Sequence, residues 1–138
     1  MSVWTHVAGI IRVDSFREDS RPNWNKIMGR VVRYASSDRT LSELRNHPER
    51  FMPCGSEGSL ERHIWTNPNK YCMDAYAVSI FGDLRDYSAV DKVIEWFKGV
   101  CKQLWVRQAC ITVKCENGTT KSYIYSKDND SEENQPSP

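Results

Sequence analysis

No run of about 18 apolar residues, the length a membrane-spanning helix needs, occurs in the 138-residue chain, because charged residues interrupt every candidate stretch. A transmembrane protein is therefore not expected. The N-terminus, Met1-Ser2-Val3-Trp4-Thr5-His6, lacks a basic segment and an apolar segment followed by a small-residue cleavage site, so nothing marks it for export and a cytoplasmic location is expected. Metal-site spacing is absent too. The cysteines at 54, 72, 101, 110 and 115 form no Cys-x-x-Cys pair and have no histidine at ligand distance along the chain, which argues against zinc and for free thiols in a reducing compartment. An excess of one charge is also missing. Nineteen basic against eighteen acidic residues give a net charge of +1, which lacks the strong basic footprint of a general nucleic-acid binder.

What remains is enough for one core. Apolar residues make up 39% of the chain, and about 100–150 residues is the usual span of a single domain. Residues 127–138 hold Asp128, Asp130, Glu132 and Glu133 against Lys127, with no large apolar side chain. Such a segment cannot offset its own ordering entropy, so it is expected to be a disordered acidic tail after a single domain over 1–126.

Periodicity supplies the elements. Val3 to Val13 carries apolar residues on both alternating sets, which suits a central strand. Trp24, Ile27, Met28, Val31, Val32 and Tyr34 recur at helical spacing after Pro22. Thr40-Leu41-Ser42-Glu43 has the form of a helix-capping box before a short helix that Pro48 ends. Ser59 to Thr66 alternates like an edge strand, and Asn67-Pro68-Asn69 turns it toward the apolar strand Ala75–Phe81. A second capping box, Ser88-Ala89-Val90-Asp91, opens a helix with Val90, Val93, Ile94, Phe97, Val100, Cys101 and Leu104 on one stripe, flanked by Trp96 and Trp105. Val106–Glu116 and Thr119–Ser126 alternate about Asn117-Gly118, a hairpin signal that predicts a type I′ turn. The order predicts an α+β fold of ferredoxin-like βαββαβ type, a two-layer sandwich with an additional C-terminal hairpin strand and one sheet face left open.

Two clusters qualify as ligand sites. In Pro53-Cys54-Gly55-Ser56-Glu57-Gly58-Ser59, the residues Gly55, Ser56, Gly58 and Ser59 have the composition of a backbone nest for an anion, although a P-loop lysine is missing. Gly82-Asp83-Leu84-Arg85-Asp86-Tyr87, expected at the joint between the apolar strand and the main helix, offers Asp83 and Arg85; its ordinary role is turn and cap. The three histidines, 6, 47 and 63, fall in no triad or paired His-x-Thr/Ser pattern. His6 and His63 lie in predicted strands that a sheet can bring near each other. Trp65, Tyr71, Tyr123 and Tyr125 are expected to stay exposed and to anchor a partner.

The segments Met1-Ser2-Val3-Trp4-Thr5-His6-Val7, Gly55-Ser56-Glu57-Gly58-Ser59-Leu60 and Val78-Ser79-Ile80-Phe81-Gly82-Asp83-Leu84-Arg85-Asp86-Tyr87, followed by Ile94-Glu95-Trp96-Phe97, resemble small uncharacterised phage and prophage proteins of Firmicutes. That resemblance implies an anti-defence role of anti-CRISPR or nucleotide-sponge type. The expectation is therefore a non-catalytic inhibitor that needs no cofactor. It would bind a host defence effector protein or sequester a cyclic nucleotide, the latter at an oligomer interface. The rival from another class is a small nucleotide-processing enzyme using Cys54, His63 or the Asp83/Asp86 pair. A phage structural or assembly component is the third reading.

Overall fold

A computed structural model describes residues 2–14, 24–29, 42–43, 45–47, 51–66 and 75–125. The chain is α+β: strand β1 (Trp4–Asp14), helix α1 (Trp24–Met28), strands β2 (Glu61–Thr66) and β3 (Ala75–Arg85), helix α2 (Val90–Lys102), and strands β4 (Val106–Cys115) and β5 (Thr120–Tyr125). The strands form one five-stranded antiparallel sheet in the order β2-β3-β1-β4-β5. The expected tail at 127–138, Tyr71 and Cys72 lie outside the described residues, as do Thr40 and Leu41 of the first capping box. No described helix is long and apolar enough to cross a membrane.

Alternation sorts each strand into two faces. On β1, Thr5, Val7, Ile11 and Val13 are buried, while His6, Ala8 and Arg12 are exposed. Because β1 pairs with β3 on one side and β4 on the other, its inward residues meet Val78, Ile80, Leu84, Ile111 and Val113, all buried. Helix α2 lies over this face with Val93, Phe97, Val100 and Cys101 inward. The short helix α1 is tied to it where Trp96 Nε1 donates to Met28 O at 2.8 Å. A buried indole N–H needs such an acceptor, which explains why Trp96 joins the core instead of flanking it.

Three expectations are corrected in detail. The second capping box does not form: the N-cap is Ala89 and makes no side-chain cap bond, because the helix starts one residue beyond what a Ser88 cap requires and Asp91 instead pairs with Lys121. The hairpin turn is not type I′, since Gly118 (φ 108) has positive φ and Asn117 does not. Gly118 N–H donates to Cys115 O at 3.0 Å and Asn117 Oδ1 accepts from Thr119 N–H at 2.9 Å, the arrangement of a type I turn closed by a left-handed glycine. Third, β3 does not stop at Phe81. It runs to Arg85, so Asp83 and Arg85 are strand residues, and the change of direction comes at Asp86 (φ 52).

The Pro53–Ser59 loop folds onto the end of β3 past the reach of β2. Ser56 N–H donates to Arg85 O at 2.9 Å and Arg85 N–H to Glu57 O at 3.0 Å. Gly58 sits at φ +79, and a Cβ there would lie 2.0 Å from Asp83 O. Gly58→Ala is therefore expected to destabilise by at least the roughly 1–3 kcal/mol of a side chain forced into left-handed backbone, read as a lower urea midpoint with unchanged slope.

Candidate active site

The open side of the sheet can be read row by row from the strand register. His6 lies between Asp83 on β3 and Lys114 on β4; the next row along β1 is Phe81, Ala8 and Thr112, and the next is Ser79, Ile10 and Cys110. Strand parity places all of these on the face that α2 does not cover.

His6 is held from two sides. Its Nδ1 is 2.6 Å from Asp83 Oδ1 and its Nε2 is 3.3 Å from Glu116 Oε2. Glu116 reaches it because the β4–β5 turn brings Glu116 alongside Trp4. Glu116 N–H donates to Trp4 O at 2.9 Å, and Glu116 Oε1 accepts from Trp4 N–H at 3.0 Å. The hydrogen bond to Asp83, then that to Glu116, raises the His6 pKa above its usual 6.5, against a smaller opposing effect of burial. With 46% of its side chain exposed, the imidazole remains open to small molecules.

That shift fixes a pH dependence. A histidine whose pKa is higher folded than unfolded adds stability that is fully present below about pH 6.5 and is lost as pH rises through the raised value. The margin of the wild type over His6→Gln is therefore expected to be larger at about pH 6 than at about pH 8.5 in urea unfolding, by no more than the roughly 0.2–1 kcal/mol of an exposed ion pair.

A second polar cluster adjoins the first. Arg85 donates from Nη1 to Glu57 Oε1 at 2.7 Å and from Nε to Ser2 Oγ at 2.8 Å. Ser56 Oγ donates to Asp86 Oδ2 at 3.0 Å. Gly55, Ser56, Gly58 and Ser59 thus gather beside Asp83 and Arg85 at the end of β3. Within the loop, Gly55 N–H turns to Gly58 O and Ser56 N–H to Arg85 O, so two of the donors counted toward an anion nest face the chain. Asp83 and Asp86 part company, one to His6 and the other to Ser56 and Arg85.

The other anticipated groups are scattered. Cys54 is half-buried and bridges to Ser59. Burial, with a lesser electrostatic contribution from Cys54, pushes the Tyr87 hydroxyl up to about 12. His63 lies on β2, opposite Ser79 and with β3 between it and β1, so it does not meet His6. It packs edge-on against Trp65, ring centres 4.3 Å apart. Trp65 is 57% exposed. Tyr123, expected outside, is buried: it pairs with Ile111 on the α2 face and packs on Phe97, while Tyr125 on the same face packs against the core rim. The exposed apolar residue of β5 is instead Ile124. Among the described residues no three His, Cys, Asp or Glu side chains are placed to hold a metal; Asp83 and Glu116 meet opposite nitrogens of the His6 ring and do not converge.

No family model and no curated protein matches the chain. Among solved structures it is similar to a phage SAM lyase in complex with S-methyl-5'-thioadenosine, with a TM-score of 0.44, 10% identity, and coverage of 89% of this chain and 91% of that one. That protein is an enzyme. The expectation of a non-catalytic, stoichiometric binder is corrected on this finding and is not carried further. At this level of likeness the chemistry of the present chain has to be read from its own side chains. Of these, His6 is what the sequence reading missed. Its one sequence signal was parity: His6 and Ala8 occupy the alternating set of β1 opposite Val7 and Ile11.

Proposed function

We propose that this protein is a small enzyme that transfers a proton to or from its substrate with His6 as the acid–base group. The observation that carries the reading is the half-exposed imidazole fixed between Asp83 and Glu116 on the uncovered sheet face. Asp83, at the short contact, orients the ring and holds the proton on Nδ1. Glu116, at the longer contact, yields its place at Nε2 to an incoming atom. A histidine with a carboxylate on its far nitrogen is suited to both halves of a proton relay.

The wider role proposed is phage interference with host defence, by consuming a small molecule. The segments around His6, Gly58 and Asp83 that resemble phage and prophage proteins support it. The strand order β2-β3-β1-β4, with a helical segment after β1 and α2 after β3, supports the ferredoxin-like reading of the scaffold, with β5 as the added strand.

The test is turnover by the full chain of SAM and a panel of cyclic nucleotides, with products separated by chromatography and identified by mass. Conversion in excess of enzyme that His6→Gln abolishes supports the reading. Conversion untouched by His6→Gln, or recovery of every compound intact, overturns it.

A further inference from the structure

We infer that the open face beside His6 takes a substrate that carries a negatively charged group, held by Lys114, with a flat apolar part lying over Ala8 against Phe81. The inference rests on His6 being the acid–base group, because it concerns what lies next to that ring.

Lys114 is the cross-strand neighbour of His6 on the side away from Asp83. It is exposed, and among the described residues its ammonium makes no hydrogen bond or ion pair. Two other basic side chains near this end of the sheet are engaged, Lys121 on the face that α2 covers. Arg85 is engaged by Glu57 and Ser2, and Lys121 by Asp91. Carboxylates are also unevenly placed. Asp83 and Glu116 are turned to His6, and on the β4–β5 half of this face the outward residues Gln108, Cys110, Thr112, Lys114, Ser122 and Ile124 include none. A negatively charged group over Lys114 therefore meets one free cation and the paired hydroxyls of Thr112 and Ser122, whose oxygens are 3.3 Å apart, while Glu116, two residues on, is already bonded to Trp4 and His6.

The apolar half comes from the adjoining row. Phe81 is 63% exposed although it stands in the middle of a strand paired on both sides. Its neighbour across β1 is Ala8, too small to cover the ring, and Thr112 stands beyond it. The result is a shallow seat floored by Ala8, walled by Phe81 and Thr112, with His6 and Lys114 at one end and Ile10 at the other. A flat ring placed there buries apolar surface against Phe81, and a group attached to it comes within reach of His6.

The experiment is an NMR titration of the full chain with naphthalene-2-sulfonate and with its uncharged counterpart naphthalene-2-sulfonamide. The expected result is that both shift the amides of Ala8, Phe81 and Thr112, with the sulfonate also shifting Lys114 and binding up to about fivefold more tightly, the range of an exposed ion pair. Lys114→Gln should remove that preference and Lys114→Arg keep it, while Phe81→Ser weakens both probes alike. Equal binding of the two probes to the wild type, retention of the preference in Lys114→Gln, or shifts confined to other parts of the fold would overturn the inference. Probe binding needs no proton transfer. The seat can therefore stand while the acid–base reading fails in turnover, and the reverse outcome is equally visible.

Discussion

Replacing Phe97 by alanine is expected to lower the unfolding free energy by about 3–5 kcal/mol. Phe97 is fully buried at the centre of α2 and touches the sheet through Tyr123, ring centres 6.3 Å apart at a near-perpendicular angle. Its removal takes away the transfer energy of an aromatic ring and opens a cavity that the sheet cannot close, since β4 and β5 are fixed by their own ladder. For a chain of this size the loss corresponds to a melting temperature lower by roughly 10–20 °C, measured by calorimetry. The control is Phe81→Ala, on the opposite, exposed face, for which little change is expected.

His6→Gln should cost turnover by about 10²–10⁴-fold while leaving the fold intact, the usual worth of a positioned acid–base group. Glutamine can still hydrogen-bond Asp83 but cannot carry a proton. Asp83→Asn separates holding from charge: the ring stays tethered, the largest cause of its raised pKa is reduced, and the limb of the pH–rate profile that reports His6 should move to lower pH. A purely structural role for His6 predicts a fall in stability with an unmoved profile. Glu116→Gln, at the longer contact, should move it less.

Much of the scaffold was readable in the pattern, and the reasons are specific. β1 was marked by its β-branched and apolar run and is the middle strand, hydrogen-bonded on both edges, although His6, Ala8 and Arg12 of its outward set are exposed. The stripe from Val90 to Cys101 announced α2 because its opposite face is charged. The errors arose where charge was taken for a break in structure. Asp83 and Arg85 read as a joint, yet a strand with one wet face tolerates acids and bases on every second position. Tyr123 and Ile124 show the complementary difficulty. Adjacent strand residues point to opposite faces, both are apolar, and only the turn at Gly118 fixes which goes inward. The candidate site was the least legible part. His6 is separated by 77 positions from Asp83 and by 110 from Glu116, and no local spacing encodes a meeting made by three strands.

The docking of the Pro53–Ser59 loop has a consequence for how the molecule behaves in a crowded solution. By occupying the margin of β3 that β2 leaves bare, it denies a foreign strand a template beside the histidine. Gly55 is what lets it lie so flat, since any Cβ there would fall 2.3 Å from Arg85 O. A chain with this segment pried loose should self-associate through that margin before it unfolds, so resistance to aggregation and integrity of the His6 end of the sheet are secured by the same few residues.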